Sequence, residues 1–309
     1  NPEYYWKTLC QTSKKLFAKR KIKKDALRGV TLTTQRDTMI NLDKKGKPLR
    51  PAIVWLDQRR ADKSVVKLPF YIKAGLRLVN MLDAIEYFIT ESEANWIRQY
   101  QPEIWEKTYK FVFLSGFFTY RLTDDYVDST GCQVGFVPFD YKKQRWAPPS
   151  DFKWRLFPMN KDNLVRLVKP SEVLGYISKK AANETGIPQG LPLIASAADK
   201  ACEVLGSGCL TPNIACLSYG TTATIETTNT RYVEIIPFFP PYPSAVPGAY
   251  NTEVMIYRGY WMLSWFVKEF GAREEMQAKK MGIKPEALFD RLVKEIPPGS
   301  MGLTLQPYW

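Results

Sequence analysis

Hydrophobic and polar positions in the first sixty residues predict one helix followed by strands. Apolar side chains at helical spacing predict an opening amphipathic helix, with an apolar face formed by Trp6, Leu9, Leu16 and Phe17. Residues 29–34, 38–42 and 52–56 predict three successive strands in a meander, with a Gly- and Pro-containing turn at 43–48. The third strand is apolar enough to be buried on both faces.

The middle of the chain changes to a mainly helical pattern. Apolar residues recur mostly at helical spacing over 68–122. The strongly apolar segment 109–124 predicts one helix that ends at the acidic pair Asp124 and Asp125. Residues 174–196 then predict a strand, a short helix, a turn with Pro and Gly, and a second strand. This last strand leads directly to Asp199.

The remaining pattern predicts, in order, a helix at 201–208, a β-hairpin at 211–228, a Pro-rich loop, helices at 258–271 and 285–296, and a strand at 302–309. We predict a domain boundary near residues 210–213. Since no Met opens the chain and its end cuts the last predicted strand short, we expect the sequence to be part of a longer protein.

Composition and length agree with a globular protein of about two domains. The chain has 309 residues, 45% hydrophobic and 24% charged, which is ordinary for a soluble protein. No apolar run reaches the ~18 residues of a membrane span, and the start lacks the apolar core of a signal peptide. We therefore expect no membrane association.

Cysteine and histidine usage excludes several kinds of site. The five cysteines form no CxxC pair, which makes a disulfide framework or a zinc site unexpected and favours the cytoplasm. The chain has no histidine, so catalytic triads with histidine and His-ligated metals are excluded within it. Acid–base chemistry must use Asp, Glu, Lys, Tyr or Cys.

The net charge of +13 has three interpretations. It is compatible with a nucleic-acid or anionic-surface binder, with an enzyme of anionic substrates, and with a solvated basic surface. The densest basic run, residues 14–24, lies on the opening helix and its exit, where a solvated face is the favoured interpretation. We therefore expect no nucleic-acid partner.

Asp199 is the first candidate for chemistry. A carboxylate between a buried strand and a helix can cap the helix by accepting its backbone N–H groups. It can also act as a general base in the crevice where α/β proteins bind ligands. The small residues 195–198, with Ala201 and Gly206, keep the backbone approachable, but they also allow close packing, so both interpretations stay open.

Gly220, Thr221 and Thr222 form the second candidate. A glycine followed by two hydroxyl residues in a hairpin turn can offer N–H and O–H donors to a phosphate. An ordinary tight turn is the alternative. No GxxxxGK[ST] motif occurs, so a P-loop is absent and any phosphate must be held differently.

Polar clusters at two predicted strand ends form the third candidate. Gln35, Arg36 and Asp37 provide an amide, a guanidinium and a carboxylate that together can hold neighbouring hydroxyls of a polyol. A surface salt bridge is the alternative. At the next strand end Trp55 offers an aromatic face and Asp57 a carboxylate, although a core position for Trp55 and a capping role for Asp57 are the simpler interpretations.

Taken together, three segments resemble the FGGY carbohydrate kinases, a family that includes glycerol, xylulose, ribulose and gluconate kinases. The segments are TLTTQRDTMINLDKKGKPLRPAIVWLDQRRAD, LPLIASAADKACEVLGSGCL and NIACLSYGTTATI. The resemblance runs over most of the chain and is strongest at residues 29–61 and 174–225.

The resemblance implies an α/β, actin-like (ribonuclease H-like) two-domain fold with ATP between the lobes. Residues 1–210 would form the N-terminal sugar-binding domain without its first strands, and 211–309 the start of an incomplete C-terminal nucleotide-binding domain. The catalytic base would be Asp199, which would contact Mg²⁺ only indirectly, through Mg-ATP. The remaining site residues would be Gly220, Thr221 and Thr222 for phosphate, and Gln35, Arg36, Asp37, Trp55, Asp57 and Lys200 for substrate.

The chain departs from the family pattern at three places. It lacks the family's N-terminal Asp-x-Gly-Thr hairpin and the adenosine-binding half of the C-terminal domain. Lys200 stands where many members carry Gln, and it could contact the carboxylate of a sugar acid.

We therefore expect an ATP- and Mg²⁺-dependent kinase of a sugar or polyol, with a pentulose such as xylulose favoured and a homodimer as the candidate assembly. The alternative is a non-catalytic actin-like sugar sensor or scaffold, motivated by the absent phosphate hairpin.

Overall fold

The computed structural model describes residues 1–19, 22–220, 222–235, 239–256 and 258–306. The chain divides into two compact units. Unit 1 comprises Asn1–Leu210 with Thr228–Thr252, and unit 2 comprises Thr211–Thr227 with Glu253–Trp309.

The elements of the described residues alternate between helices and short strands. The helices are α1 (Pro2–Lys19), α2 (Phe70–Leu78), α3 (Leu82–Glu91), α4 (Glu93–Tyr100), α5 (Pro102–Lys107), α6 (Leu114–Thr123), α7 (Lys153–Leu156), α8 (Lys179–Thr185), α9 (Asp199–Gly206), α10 (Tyr260–Phe270), α11 (Ala272–Met281) and α12 (Glu286–Glu295). The strands are β1 (Val30–Thr31), β2 (Met39–Leu42), β3 (Lys110–Phe113), β4 (Val127–Ser129), β5 (Phe139–Asp140), β6 (Arg145–Trp146), β7 (Arg166–Val168), β8 (Val173–Tyr176), β9 (Pro192–Ile194), β10 (Cys216–Tyr219), β11 (Ala223–Asn229), β12 (Tyr242–Pro243) and β13 (Tyr250–Ile256).

The strands of unit 1 pair with partners far away in the sequence. β9 lies between β1, to which it is parallel, and β8, to which it is antiparallel. β2 pairs with β3 antiparallel, β4 with β7 parallel, and β5 with β6 antiparallel. The predicted meander of three neighbouring strands is therefore wrong, because the sequence pattern identifies apolar strands but not the partners that they bury against.

Residues 52–56 are not a strand. Only Ile53 pairs, in a single bridge with Met39, and Trp55 and Leu56 form an exposed turn. β3 pairs with one edge of β2, and Ile53 meets the other edge only at Met39. Directly after Ile53 the chain turns, since the N–H of Asp57 donates to the carbonyl of Val54 over 2.8 Å. A short apolar run is compatible with a strand and with a turn, so its pattern alone does not decide between them.

The segment predicted as one apolar helix, 109–124, is a strand followed by a helix. Its first part forms β3 against β2, and α6 begins only at Leu114. The helix ends where Asp124 adopts a left-handed conformation with φ of 65°, a conformation that Asp tolerates better than most residues. The predicted end at the acidic pair is confirmed.

Several predicted elements are confirmed. The opening helix is α1, residues 174–196 form β8, α8 and β9, and the predicted hairpin is β10 with β11. The helices α10 and α12 lie where the amphipathic pattern placed them. The predicted final strand is wrong for residues 303–306, which are not in a strand, and residues 307–309 lie outside the described part.

The largest core of unit 1 lies between its central strands and three helices. Ile40, Val112 and Leu193 from the strands pack with Trp6 of α1 and Phe117 of α6, all almost completely buried. Burial of such side chains contributes roughly 1.5–3 kcal/mol each. This packing fixes the strand ends that carry the candidate site. Among the described residues, no helix has the length and apolar character needed to cross a membrane.

In unit 2, β10 and β11 form an antiparallel hairpin in which Tyr219 lies opposite Ala223. The turn of this hairpin contains the candidate phosphate residues. Helices α10, α11 and α12 follow later in the same unit.

Candidate functional site

The ends of the parallel strands β1 and β9 bring two predicted clusters together. The backbone N–H of Asp199 donates to the carbonyl oxygen of Thr34 over 2.9 Å, and Thr33 Oγ1 donates to the carbonyl of Ala197 over 2.8 Å. Because Gln35 directly follows Thr34, the candidate base and the polar cluster 35–37 lie at the same edge of the sheet. The carboxyl ends of parallel strands are where α/β folds bind ligands.

Asp199 is the first residue of α9, and Ala198 occupies the N-cap position. Its Oδ1 accepts the backbone N–H of Lys200 at 2.8 Å, and its side chain is exposed. The carboxylate thus satisfies one of the four N–H groups that a helix start leaves unpaired. It does so from inside the helix while staying accessible to a ligand.

The small residues before Asp199 serve packing. Ala195, Ala197 and Ala198 are buried, and the N–H of Ala198 donates to the carbonyl of Gly131 over 3.1 Å. A β-carbon on Gly131 would lie 2.7 Å from Cβ of Ala197. The short side chains therefore allow the 129–132 segment to approach the strand end that positions Asp199.

Lys200 is half-buried, and its Nζ lies 2.9 Å from Oε2 of Glu203, one turn further along α9. Its ammonium group is thus engaged in an ion pair on its own helix. An exposed pair of this kind stabilises a helix by only a few tenths of a kcal/mol.

Gln35 and Arg36 are held by neighbours within unit 1. Gln35 Nε2 donates to Thr38 Oγ1 over 2.7 Å. The guanidinium of Arg36 lies 5.0 Å from the ring centroid of Tyr242, a cation–π distance. Both side chains are half-buried, and the contacts restrict their orientation next to the strand end.

Asp37 forms a hydrogen bond with the side chain of Glu93, the first residue of α4. We call Asp37 and Glu93 the acid pair. Asp37 adopts a left-handed backbone conformation with φ of 49°, and its Oδ1 is shielded from solvent. Glu93 is buried, with 8% of its surface exposed.

Burial determines the electrostatics of the acid pair. It raises the pKa of Asp37 to about 6, although the hydrogen bond from Glu93 and the charge of Arg36 lower it. Burial and then the charge of Asp37 raise the pKa of Glu93 well above its usual range. Glu93 is not among the site residues predicted from the sequence. The available signal was an acid at the start of a helical segment that contains the apolar residues Ala94 and Ile97.

Asp57 and Trp55 have different surroundings from those predicted. Asp57 accepts Arg59 Nε over 2.7 Å and a second bond from Arg59 Nη2, and these bonds lower the pKa of Asp57. The Arg59 guanidinium lies 4.8 Å from the ring centroid of Trp96. Trp55 is 43% exposed, so the interpretation of Trp55 as a core residue is wrong: it lies in a turn and not in a strand.

The hairpin turn of unit 2 packs against the start of α10. The N–H of Gly220 donates to the carbonyl of Thr222 over 2.9 Å, and the N–H of Tyr260 donates to the carbonyl of Gly220 over 2.9 Å. Gly259 approaches Thr222 so closely that a β-carbon there would lie 2.4 Å from the Thr222 carbonyl carbon. Thr221 lies outside the described residues.

Two further features bear on ligand binding. An open depression of about 610 Å³ on unit 1 is lined by Asp124, Lys179, Lys180, Asn183 and Glu184, none of which is a predicted site residue. Within the described ranges, no three Cys, Asp or Glu side chains are grouped so that they could hold a metal ion.

Comparison with known proteins identifies relatives of this chain. Residues 1–206 match the model of the FGGY family of carbohydrate kinases, N-terminal domain. The uncharacterized sugar kinase YgcE of Escherichia coli is 29% identical over 201 residues, which are 63% of this chain and 40% of that protein. A xylulose kinase of Lactococcus lactis is 24% identical over 286 residues, 91% of this chain and 53% of that protein.

A solved structure shows the same fold. The crystal structure of xylulose kinase from Rhodospirillum rubrum superposes with a TM-score of 0.78 at 22% identity, over 100% of this chain and 61% of that chain. The fold is therefore the actin-like α/β fold of the sugar kinases. The chain spans about half the length of the curated relatives that it matches. With the strand-end geometry and the family match over residues 1–206 in agreement, this chain belongs to the FGGY family of carbohydrate kinases.

Proposed function

We propose that this protein transfers the γ-phosphoryl group of ATP to a hydroxyl of a sugar or polyol, with Asp199 as the general base. One observation carries the proposal. The hydrogen bond from the N–H of Asp199 to Thr34 brings an exposed carboxylate next to the cluster 35–37 in a chain of a carbohydrate kinase family.

The sugar would be held by side chains of unit 1. Arg36 can donate to hydroxyl oxygens, whereas Asp37 and Asp57 can accept from hydroxyl groups, and Gln35 can do both. Trp55 offers an exposed aromatic face in the turn that it forms with Leu56. Lys200 is part of the proposed site through its position beside the base, although its ammonium group pairs with Glu203.

Gly220 leaves room for a phosphate group. It is exposed, and among the described residues other than its chain neighbours a β-carbon there would meet the Thr222 carbonyl oxygen alone, at 3.9 Å. This open space would let a phosphate approach the Gly220 backbone closely. We propose that Gly220, Thr221 and Thr222 hold phosphate oxygens, and that Mg²⁺ arrives with the nucleotide and meets Asp199 only through it.

The chain's own residues would act mainly by positioning and by one proton transfer. When bound, Mg-ATP would supply the phosphoryl group, and its Mg²⁺ would neutralise part of the phosphate charge. Asp199 removes the proton from the attacking hydroxyl, and the cluster 35–37 orients the sugar so that this hydroxyl points at the carboxylate. Phosphoryl transfer depends largely on such alignment, which the ordered strand ends provide.

Xylulose is the substrate that we favour, because several relatives and solved neighbours are named xylulose kinases. We place the reaction in the cytoplasm, because the described residues, which include all five cysteines, contain no disulfide bond. A homodimer stays a prediction.

The test measures ADP release from Mg-ATP in the presence of ketoses, polyols and sugar acids. We expect one compound to stimulate release, and Asp199→Asn to lower kcat by about 10²–10⁴-fold because the hydroxyl then loses its proton acceptor. The matched control is Asp83→Asn, an exposed acid in the first turn of α3 that should leave kcat unchanged.

An equally active Asp199→Asn variant would show that this carboxylate only stabilises the start of α9. Binding of a sugar without ADP release would favour the sensor function.

A further inference from the structure

The acid pair joins two elements that are distant in the sequence. Asp37 follows β1 and belongs to the proposed sugar-binding cluster, whereas Glu93 begins α4. Their side chains are hydrogen-bonded to each other. Two carboxylates cannot form such a bond when both are ionised, so the contact requires one shared proton.

We place the shared proton mainly on Glu93, because Glu93 is the more deeply buried of the two and burial disfavours the charged form. Burial raises the pKa of both carboxyl groups. Around neutral pH Glu93 therefore donates its proton to Asp37, and Asp37 keeps the negative charge. Interacting groups of this kind lose their protons as a pair, in two separate steps.

No N–H or O–H group of the described residues donates to Asp37 Oδ1 or Glu93 Oε2, and both oxygens are shielded from solvent. Gly135 makes the arrangement possible, because a β-carbon there would lie 2.4 Å from Asp37 Oδ1. Buried polar oxygens are almost always hydrogen-bonded, and a proton shared between the two carboxyl groups supplies the donor that these oxygens otherwise lack.

Other charged and titratable groups face the pair from several segments. Arg36 acts on Asp37, and Asp57 acts on Glu93. Tyr141 lies close enough for the charge of Asp37 to act on its hydroxyl. Asp57 is itself bonded to Arg59 and lies near Arg50, so its charge is partly compensated.

We propose that Glu93 is a positioning residue for sugar recognition: by sharing its proton with Asp37, it holds Asp37 as a singly charged acceptor for a substrate hydroxyl. The proposal rests on the proposed function, in which Asp37 contacts the sugar. When the pair loses its second proton at alkaline pH, the two charges repel, the contact between the side chains is lost, and the acceptor is no longer held in place.

The test is calorimetric titration with D-xylulose, glycerol and gluconate as probes, without ATP, between pH 5 and pH 10. We expect wild-type affinity for the bound probe to fall at least tenfold on the alkaline side. Glu93→Gln carries an amide that donates to Asp37 at every pH, so it should bind like wild type at pH 7 and lose the alkaline decrease. The matched control is Glu86→Gln on α3, whose carboxylate pairs with Lys63, and it should keep the wild-type profile.

An alkaline decrease of the same size in Glu93→Gln would overturn the proposal and leave Glu93 with a structural role only. Carbon-13 NMR of the carboxyl groups tests the pair in the unmodified protein, and thus independently of how the variant folds. One of the two carboxyl groups should still be protonated at pH 7, and ionisation of both at that pH would also overturn the proposal.

The outcomes separate this proposal from the kinase function. A sugar that binds with the expected profiles but does not stimulate ADP release refutes the kinase function alone. Stimulated ADP release together with identical profiles of wild type and Glu93→Gln refutes the role of Glu93 alone.

Discussion

Gly135 occupies a point where several side chains of the candidate site converge. A β-carbon there would lie 2.4 Å from Asp37 Oδ1 and 2.8 Å from Phe113 Cζ. The hydroxyl of Tyr141 lies 3.3 Å from the Gly135 backbone nitrogen and 3.2 Å from its carbonyl oxygen. No larger residue fits without moving the acid pair or the core ring.

Gly135→Ala should therefore destabilise the protein. We expect the free energy of unfolding to fall by roughly 1–3 kcal/mol, as for other overpacked sites. Urea unfolding followed by circular dichroism measures it. The matched control is Gly75→Ala inside α2, where no heavy atom lies within 4 Å of the added carbon. This variant should be stabilised by up to about 1 kcal/mol, because Ala is the better helix former. A Gly135→Ala variant as stable as wild type would contradict the close packing of Asp37 and Phe113 around this glycine.

At the scale of elements, α8 shows how local sequence signals fix both ends of a helix. Ser178 is its N-cap, and the Oγ accepts the N–H of Ala181 over 3.2 Å. Gly186 ends the helix in a left-handed conformation with φ of 77°. The helix buries Ala181 and Thr185 against the core, and its Glu184 accepts a hydrogen bond from Trp6 of α1.

Loss of the cap should weaken this helix measurably. For Ser178→Ala we expect a decrease of about 1 kcal/mol in the free energy of unfolding, because the N–H of Ala181 then lacks its acceptor. Thermal and urea unfolding provide the measurement. Ser13→Ala, inside α1, is the matched control and should stay within about 0.5 kcal/mol of wild type. Equal stability of the two variants would show that solvent replaces the cap.

At the scale of the whole molecule, buried acids link stability to pH. Burial raises the pKa of Asp128 to about 6, although Ser115 and Gln133 donate hydrogen bonds to its carboxylate. The acid pair adds two further raised pKa values. The folded chain therefore binds more protons than the unfolded chain between the usual carboxyl pKa and these raised values.

The sign of the pH dependence follows from this difference in bound protons. The stabilising contribution of each raised acid is fully present below its ordinary pKa and is lost as the pH rises through the folded-state value. For the two Asp residues this window runs from about 4 to about 6, and for Glu93 it extends higher. Within its window, each group changes the free energy of unfolding by at most about 1.4 kcal/mol per pH unit.

Urea unfolding of wild type and Glu93→Gln between pH 4 and pH 9 isolates one of these groups. The stability of wild type relative to the variant should decrease as the pH rises, because only wild type has the raised carboxyl group at position 93. A relative stability that increases with pH over this range would contradict the raised pKa of Glu93. Asp57 acts in the opposite direction, since its pKa is lowered and its contribution is lost as the pH falls.

Much of the candidate site could be predicted from the sequence. The strand-then-acid pattern identified Asp199, and the polar residues after β1 identified the cluster 35–37, which the pairing of β1 with β9 brings to the same edge. Glu93 could not be predicted, because an acid within a helix is normally exposed. The exposure of Trp55 could not be predicted either, since an apolar run does not show where its strand stops. The roles of all these residues, and the assignment of the two domains, stay predictions.

The sequence by itself determined features that depend on near neighbours. The helix boundaries at Ser178 and Asp124, the hairpin with Gly220 and the absence of histidine chemistry all follow from residues a few positions apart. Only the tertiary structure decided that β1 lies beside β9, that β2 lies beside β3 and that the acid pair forms. The physical reason is that these contacts join segments separated by dozens of residues. Burial and hydrogen bonding across the whole core decide which distant segments pair, and a local sequence pattern contains no information about them.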